Sequence, residues 1–342
     1  HEALLGKGRP SHCLCRAGSE FEVRSREQSL PHVYALSSGG PKAGELDPGL
    51  ILGLRQVIGR LKPDIIHAHS AHAAGIVFWA RLWGLGEWRP KLVFHRTVTD
   101  PIGKFSRWKY NAADVVVAVC SAIGDGLASQ GVAADKIRVI PIGIPLGNGC
   151  AGEELGVCGS VAPKKEGLAI GTLGALDGTQ KDVATLVAAF GKVAPELPQA
   201  RLHIFGDGKE RCRLEAMARQ LGVADRVIFH GWWRKEPKQA IGQLDIFVLS
   251  SLKEGCSNVL VSAMMEGVAS IATAVGGNPE VLGEAGILVP ARDAEAMAQA
   301  ILGLAHNEIR RQELGRAARQ RSKMFSLDRF VASMMHCYSE IL

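Results

Sequence analysis

The chain has 342 residues, of which 47% are hydrophobic and 22% are charged, a composition typical of a globular protein long enough to form two domains. The formal net charge of +6 and the isoelectric point near 8.9 are compatible with phosphorylated ligands or an anionic membrane surface. They fall short of the dense positive charge of a dedicated nucleic-acid-binding protein, and we expect no nucleic-acid partner.

Eight cysteines are spread along the sequence, and no two of them form a Cys-x-x-Cys pair. This distribution disfavours a zinc ribbon and a disulfide framework. No apolar run reaches the length that a membrane-spanning helix needs. Because reduced thiols are typical of proteins of the cytosol, the sequence predicts a cytoplasmic protein.

Strands and helices alternate through the first half of the chain. Residues 1–8 resemble the end of a helix that stops at a glycine, and an α/β domain would place a strand before that helix. We therefore expect the first strand of the N-terminal domain to be missing. The continuous apolar run Val115–Cys120 is typical of a parallel strand covered on both faces. The pattern predicts strands at 11–15, 32–36, 64–69, 91–95, 115–120 and 138–142, and helices at 50–61, 73–83 and 122–129.

A stretch rich in glycine and proline at 143–166 interrupts this alternation and predicts a domain boundary. The fold class is α/β, with two facing Rossmann-like domains that contain parallel sheets and have a cleft between them. The predicted parts are an N-terminal domain at 1–150, a linker at 151–166, a C-terminal domain at 167–325 and a last helix at 326–342. Beyond the boundary, strands are predicted at 168–174, 201–205, 226–230, 245–249, 270–275 and 286–289, and helices at 182–193, 209–221, 258–266, 293–306, 308–323 and 327–342.

One strand–turn–helix segment, at 245–267, is the first candidate for a ligand site. Its strand ends in a turn that carries Glu254 and Gly255, and Asn258 is then expected to cap an apolar helix that runs to about Glu266. Free N–H groups and the helix dipole favour an anion at such a helix start. A buried acid beside it needs a polar partner, for instance a sugar hydroxyl. The alternative is an ordinary turn with a solvated glutamate.

A second turn contains the sequence Phe-Gly-Asp-Gly at 205–208, between a predicted strand and a predicted helix. It offers Gly-x-Gly, but Arg211 stands where a dinucleotide-binding fingerprint needs its third glycine. No acidic residue ends the next strand either. An NAD-dependent enzyme is therefore disfavoured, whereas a turn that lies near a nucleotide remains compatible with the pattern.

Two further turns combine flexible backbone with polar groups. Lys181 precedes a helix that Asp182 is expected to cap, and a lysine in such a loop either binds a phosphate as a point charge or is simply solvated. In the segment 276–280, Asn278 is expected at the N-cap and Pro279 at the first helical position. Two interpretations of this segment stay open: a tight structural turn, and a turn whose backbone approaches a ligand.

Histidines occur at 67, 69 and 72 and again at 95. His67 and His69 would share one face of a strand and could bind a metal, but no carboxylate or cysteine nearby completes the ligand set, so we expect no metal. His95 ends a predicted strand. It is either a structural residue or part of a ligand site at the carboxyl end of the sheet.

Residues 78–110 contain four of the six tryptophans, interleaved with basic side chains. Aromatic and basic residues together suit a membrane interface. The alternative is a partly buried pair of helices whose basic side chains reach solvent. The residues concerned are Trp79, Trp83, Trp88, Trp108, Arg81, Arg89, Lys91, Lys104, Arg107 and Lys109.

Taken together, these turns resemble the family 4 retaining glycosyltransferases, which have two facing Rossmann-like domains. The likeness covers about 165–340 most strongly and the first half more loosely, where 95–110 looks most like members that build bacterial surface polysaccharides. The motifs that follow the order and spacing of the family are Lys181-Asp182, His203-Ile-Phe-Gly-Asp-Gly208, Asp225-Arg-Val-Ile-Phe-His-Gly-Trp232, the run 245–255 that ends in Lys-Glu-Gly, Asn258-Val-Leu260 and Gly276-Gly-Asn-Pro-Glu280.

The resemblance implies transfer of a sugar from a nucleotide-sugar to a glycan or lipid-linked acceptor in bacterial polysaccharide or lipopolysaccharide synthesis, with retention of anomeric configuration. It implies no cofactor and no metal, and it fits a cytoplasmic protein, with peripheral contact at the inner face of the membrane. Glu254 would contact the donor sugar, Lys181 the phosphates, and His95 would lie near the donor sugar. The implied donor-binding residues are Gly174, Gly206, Asp207, Gly208, His230, Gly231, Gly255, Cys256, Ser257, Asn258, Val259 and Ser262.

The chain departs from the family pattern at three places. Ser262 stands where the second glutamate of a Glu-x7-Glu pattern is expected, and losing that charge-assisted hydrogen bond would cost about 1–3 kcal/mol of donor binding. Ala175 and Leu176 occupy the neighbourhood of an arginine that usually precedes the phosphate lysine, and the glycine-rich first loop would precede residue 1. Two alternatives therefore stay open, namely a catalytically impaired nucleotide-sugar-binding protein and a nucleotide-sugar epimerase.

Overall fold

The chain forms two compact units, and each contains parallel strands alternating with helices. The N-terminal unit combines His1–Pro141 with Asp328–Leu342, and the C-terminal unit is Ile142–Leu327. The predicted linker at 151–166 lies outside the described residues, as does nearly all of the helix end expected at 1–8. The computed structural model describes Leu5, Gly8 and residues 10–17, 19–36, 44–84, 88–145 and 167–342.

The N-terminal unit has one parallel pair of strands, β1 with β2, and one parallel sheet in the order β3-β4-β5-β6. Its strands are β1 (Cys13–Arg16), β2 (Val33–Leu36), β3 (Ile65–Ala68), β4 (Lys91–Arg96), β5 (Val115–Ala118) and β6 (Ile137–Val139). Its helices up to the domain boundary are α1 (Glu20–Glu27), α2 (Pro48–Leu61), α3 (Ala71–Leu82), α4 (Lys104–Asn111) and α5 (Ser121–Ser129).

The apolar spacing read from the sequence accounts for the core helix α2. Its side chains at Leu50, Leu54 and Ile58 are buried, and Asp47 caps it by accepting a hydrogen bond of 2.9 Å from the Leu50 N–H. Helices α1, α4 and α8 (Pro237–Ile241) were not predicted, because each has only eight residues or fewer, too few for the apolar spacing to indicate a helix.

The C-terminal unit contains one sheet of six parallel strands in the order β12-β11-β10-β7-β8-β9. Read from the other edge, this is the strand order of a Rossmann fold, and the winding direction reverses between β7 and β10. The strands are β7 (Ala169–Leu173), β8 (Arg201–Phe205), β9 (Val227–Gly231), β10 (Ile246–Leu249), β11 (Ala269–Thr273) and β12 (Ile287–Val289). The helices are α6 (Val183–Val193), α7 (Arg211–Gln220), α8 (Pro237–Ile241), α9 (Asn258–Glu266), α10 (Asn278–Leu282), α11 (Ala294–Ala305) and α12 (Glu308–Ser322).

Strand β10 is buried on both faces of this sheet. Ile246 and Val248 belong to one hydrophobic cluster, and Phe247 and Leu249 belong to a second cluster that includes side chains of α9. Alternation of side chains along a strand places successive residues on opposite faces. The polar turn after β10 is therefore held by a strand with no accessible side chain.

The last helix, α13 (Leu327–Ile341), belongs to the N-terminal unit. Its buried Met334 and Cys337 pack in one cluster with Val93, Val115 and Val117 of strands β4 and β5. None of the described helices is long and apolar enough to cross a membrane, and the described cysteines form no disulfide.

Candidate active site

The turns that follow β7 and β10 bring together two oppositely charged side chains that lie 73 residues apart in the chain. Lys181 donates a hydrogen bond from Nζ to Oε1 of Glu254, and the Ser251 hydroxyl donates to the same oxygen at 2.7 Å. The Glu254 residue is only 6% exposed. A buried carboxylate needs such partners, because a charge removed from water is costly unless it is paired and hydrogen-bonded.

Backbone hydrogen bonds fix these two turns to each other. Lys181 and Ser251 form an isolated antiparallel bridge, the Leu252 N–H donates to the Gln180 carbonyl at 2.8 Å, and the Asp182 N–H donates to the Ser250 carbonyl at 3.3 Å. Asp182 also accepts from the Thr185 N–H and caps α6, as predicted. The backbone on either side of Lys181 is thus fixed by hydrogen bonds to the turn after β10.

The third turn, after β11, is hydrogen-bonded to the turn that carries Glu254. The Gly277 N–H donates to the Glu254 carbonyl at 3.2 Å, and the buried Thr273 hydroxyl donates to the Ser251 carbonyl at 2.6 Å. The prediction that Asn278 caps the following helix is wrong, since Gly277 occupies that position and α10 begins at Asn278. The fully buried Asn278 amide instead donates to the Thr273 carbonyl at 3.0 Å.

Helix α9 starts immediately after this site. Ser257 is its N-cap residue and makes no capping hydrogen bond through its side chain, so the predicted cap at Asn258 is wrong by one residue. A first turn without a side-chain cap leaves N–H groups and the positive end of the helix dipole for a negatively charged ligand. The residues predicted to meet the diphosphate form this turn and the helix start: Gly255, Cys256, Ser257, Asn258 and Val259.

The position of the missing second carboxylate lies one turn further along α9. Ser262 is half-buried, and its hydroxyl donates back to the Asn258 carbonyl at 2.9 Å. Glu266 is the last residue of the helix, about 12 Å along the axis from its start. Glu266 lies four residues, or about 6 Å along the axis, beyond Ser262.

The glycines after β7 and β8 allow two turns to approach each other through their backbones. Gly206 has a φ of +149°, and a Cβ added there would lie 1.9 Å from the Gly174 carbonyl oxygen. A Cβ on Gly174 would in turn lie 3.4 Å from Cε of Lys181. Gly174 thus lies against the Lys181 side chain, and Gly206 packs against the backbone of Gly174.

The remaining predicted residues of this unit gather at the ends of β8 and β9. Asp207 accepts hydrogen bonds from the Gly208 N–H at 2.8 Å and from Arg211 at 2.9 Å, and these bonds lower the pKa of its carboxyl. The Gly206 N–H donates to the Gly231 carbonyl at 2.8 Å. The exposed His230 ring stacks on Phe205 with centroids 4.2 Å apart.

His95 lies in the N-terminal unit, on β4, and the structure joins it to the two histidines of the His-x-His pattern. Its Nδ1 is 3.3 Å from Nε2 of His67, and the His67 ring stacks on that of His69. Burial lowers the pKa of the His67 and His95 imidazoles, that of His95 to about 4. Both are therefore neutral at pH 7.

The sequence did not indicate the residues that support the Lys181–Glu254 pair and the histidine cluster. Ser251 and Thr273 support Glu254, and Tyr338 binds His67 across 271 positions of the chain. The signal for Ser251 was its place two residues after a buried strand. Nothing in the local sequence pointed to Tyr338.

Two family models match the chain. The model described as "Glycosyltransferase Family 4" matches residues 2–148, and the model described as "Glycosyl transferases group 1" matches residues 167–307. The chain belongs to the family 4 glycosyltransferases. Both halves of the resemblance seen in the sequence are thereby confirmed, although the two models match the units separately.

Individual relatives agree with this assignment. An N-acetyl-alpha-D-glucosaminyl L-malate synthase of Bacillus anthracis is 32% identical over 47% of this chain and 43% of its own length. The lipopolysaccharide core biosynthesis glycosyltransferase LpsE of Rhizobium meliloti is 35% identical over 36% of this chain and 35% of its own length. The chain thus spans less than half the length of these two relatives.

The fold also matches a solved structure over nearly the whole chain. The crystal structure of the HepE protein of Anabaena in complex with UDP and glucose aligns with 96% of this chain and 91% of its own, with a TM-score of 0.79 and 19% identity. This likeness confirms two Rossmann-like units of the glycosyltransferase type.

Proposed function

We propose that this protein transfers a sugar from a nucleotide-sugar donor to a glycan or lipid-linked acceptor in bacterial polysaccharide or lipopolysaccharide synthesis, with the anomeric configuration retained. One observation carries the proposal. The buried Lys181–Glu254 pair lies where the winding of the sheet reverses, beside the uncapped start of α9. In open α/β sheets, ligands bind at that point.

The pair can separate to meet the two ends of a donor. The ammonium of Lys181 and the first N–H groups of α9 would bind the diphosphate, which gains negative charge as its bond to the sugar breaks. The carboxylate of Glu254, with Ser251 still donating to it, would accept hydrogen bonds from sugar hydroxyls. The ion pair thus keeps both charges satisfied until the donor replaces each partner with its own groups.

These groups also bear on the need for a metal. Lys181 and the helix start already supply positive charge beside the leaving group, which is the role that a divalent ion has in other phosphate chemistry. We therefore propose that transfer needs no divalent ion. Activity that persists in EDTA would support this, and activity restored only by added Mg²⁺ or Mn²⁺ would contradict it.

The decisive experiment is a transfer assay. The purified chain is incubated with radiolabelled UDP- and GDP-sugars and bacterial lipid or glycan extracts, with UDP-sugars first because the HepE structure holds UDP. Glu254→Gln should lower transfer by about 100- to 1000-fold, the range for losing one transition-state contact. Glu295→Gln is the matched control, since Glu295 pairs with Lys192 at 2.9 Å on the surface of the same unit.

The outcomes separate the proposal from its alternatives. Donor binding in calorimetry without transfer would indicate an impaired binding protein, the reading that Ser262 favours. Conversion of the donor sugar without an acceptor would indicate an epimerase, which the family assignment does not favour. Unchanged transfer by Glu254→Gln would contradict the proposed site. His95→Gln should also lower transfer if the role implied by the resemblance applies.

We further propose that the protein works at the cytoplasmic face of the membrane through α3 and α4. The rings of Phe78, Phe105 and Trp108 contact one another with centroids 4.5–5.9 Å apart, and Phe105, Trp108 and Trp83 are 40–51% exposed. Lys104 and Arg107 are exposed on the same short helix. Exposed aromatic and basic groups together fit an anionic lipid surface.

Not every basic residue of this segment takes part. Lys109 is buried and binds Glu45 at 2.8 Å, so it is structural. A vesicle sedimentation assay tests the rest: Trp83→Ser with Trp108→Ser should abolish binding to vesicles rich in anionic lipid. Trp232→Ser, which removes a tryptophan that is 61% exposed in the C-terminal unit, should leave it unchanged. Equal binding by both variants would contradict the surface.

A further inference from the structure

The carboxyl end of β4 carries a buried positive charge that the sugar-transfer site does not use. Arg96 is the last residue of this strand and the one buried arginine in the part of the chain that the structure describes, with 8% of the residue exposed. Alternation along the strand places it on the face of Phe94 and not on that of His95. Phe94 contacts Tyr110 of α4, with ring centroids 6.4 Å apart. Arg96 thus lies on the side of the sheet that α4 covers, opposite to the histidine cluster.

No carboxylate of the described residues forms an ion pair with the Arg96 guanidinium. The group has five N–H donors, and its Nη2 donates to the Asp100 carbonyl at 2.6 Å. A carbonyl oxygen accepts a hydrogen bond but carries no net charge. A buried charge without a counter-ion is costly, so this arginine is suited to a ligand that brings a negative charge.

The carboxylate of the same neighbourhood already has a partner. The Arg96 guanidinium and the Glu45 carboxylate both act electrostatically on the Tyr110 hydroxyl. Both oxygens of Glu45, however, accept hydrogen bonds from Nζ of the buried Lys109, at 2.8 and 3.0 Å. Two buried cations therefore share one acid, which leaves one positive charge for an anion from outside the chain.

The hydroxyl of Tyr110 supplies a second polar group at this place. It is buried and has no hydrogen-bond partner among the described residues, although a buried polar atom normally has one. Burial raises the pKa of this hydroxyl, and the nearby Arg96 opposes the rise, so the hydroxyl keeps its proton at pH 7 and can donate. A guanidinium and a hydroxyl that both donate match the oxygens of a phosphate group.

The site lies close to the protein surface. Thr97 and Val98, which follow Arg96 directly, are exposed. Tyr110 belongs to α4, the helix whose exposed Lys104 and Arg107 we propose to lie on an anionic membrane. A phosphate can therefore come from solution or from a lipid headgroup, and both sources present the same oxygens.

We propose that Arg96 and Tyr110 bind one phosphate group at the carboxyl end of β4. Arg96 supplies the charge and paired N–H donors, and Tyr110 donates its O–H group to a further oxygen. The site is in a different unit from the Lys181–Glu254 pair. It therefore stands or falls independently of the proposed sugar transfer.

Calorimetric titration of the full chain with inorganic phosphate tests the site. Arg96→Gln should weaken phosphate binding by about 10- to 150-fold, the range for losing a hydrogen bond to a charged group. Arg138→Gln is the matched control, because it removes a partly exposed arginine of the same unit that pairs with Glu340 at 3.2 Å; it should bind as the native chain does. Any phosphate bound at Lys181 is common to all three proteins and does not affect the comparison.

Tyr110→Phe separates a binding role from a structural one. The hydroxyl has no partner in the free chain, so its removal should not lower the Tm in phosphate-free buffer. It should weaken phosphate binding by about 10-fold. A lower Tm with unchanged phosphate affinity would contradict the role assigned to Tyr110.

Sedimentation with phosphatidylcholine vesicles that contain phosphatidic acid distinguishes the two sources. A headgroup ligand predicts that less Arg96→Gln than native chain sediments, although Trp83 and Trp108 are intact in both. A free ion predicts equal sedimentation together with the loss seen in calorimetry. If Arg96→Gln matches the native chain in both assays, the proposal is overturned.

Discussion

The two units bury polar groups at the same kind of place, the carboxyl end of a parallel sheet, by opposite means. In the C-terminal unit, the charges of Lys181 and Glu254 are kept and paired with each other. In the N-terminal unit, His67 and His95 give up their charge, since burial lowers the pKa of both imidazoles. A paired charge and a neutralised group are the two ways in which a protein can keep an ionisable side chain away from water.

The difference decides what each place can bind. A buried ion pair is exchanged most readily for a ligand that carries both a negative group and hydrogen-bonding groups, as a nucleotide-sugar does. Each neutral imidazole offers one lone pair and one N–H group and carries no charge, so these rings suit hydrogen bonds to a neutral ligand. The variants below test this contrast, beginning with the one that should have the largest effect.

Removing one charge of the pair should be strongly destabilising. Lys181→Met leaves Glu254 buried without its counter-ion, and such a change typically costs about 3–5 kcal/mol. The free energy of unfolding of the full chain, measured with urea, should fall by that amount. Lys192→Met, at the surface pair with Glu295, should change it by less than about 1 kcal/mol.

The double variant Lys181→Met with Glu254→Gln checks the cause. It removes both charges, so it should recover much of the stability that Lys181→Met loses. If the double variant is no more stable than the single one, the loss reflects packing of the lysine chain rather than an unpaired carboxylate.

The histidine cluster should make the chain sensitive to acid. The folded pKa of His95 is about 4 against an ordinary value of 6.5, so between these pH values the unfolded chain binds a proton that the folded chain does not. The contribution of neutral His95 to the free energy of unfolding is therefore fully present above pH 6.5. It falls by about 3 kcal/mol as the pH decreases toward 4. His95→Gln should flatten the pH dependence of unfolding, whereas His306→Gln, which replaces an exposed histidine at the end of α11, should not.

Adding a carboxylate to α9 should strengthen the proposed donor site. Ser262→Glu restores the acid of the family pattern and should improve donor binding by about 1–3 kcal/mol, or roughly 5- to 150-fold. Calorimetry with the donor found in the transfer assay measures this. Ser262→Ala removes only a hydroxyl that bonds back to its own helix and should change affinity little, and a loss of affinity in Ser262→Glu would contradict the proposed orientation.

Much of the fold could be predicted because its signals are local. The apolar run at β5 and the spacing in α2 are visible within a dozen residues, and helix α9 has the predicted bounds. The helices missed, α1, α4 and α8, are short, and tertiary packing rather than their own pattern stabilises them. Lys109 shows this, since its partner Glu45 lies in a distant segment.

The residues of the site could be predicted from the sequence, but the contacts between them could not. Glu254 and Lys181 each stood out beside a strand, but their pairing depends on β7 and β10 being neighbours in the sheet, which no local pattern reveals. For the same reason His95 was weighed apart from His67. The His-x-His pattern is visible along the chain, whereas the third imidazole comes from the adjacent strand.

The position of α13 has a consequence for the order in which the protein can be made. Domains generally fold as they emerge during synthesis, the first before the second. Here Met334 and Cys337 complete a core with β4 and β5, yet they are synthesised after every residue of the C-terminal unit. The N-terminal unit, which is synthesised first, therefore completes its core last. The apolar surface around Val93 and Val117 lacks the side chains of α13 until the whole of the other unit has been translated.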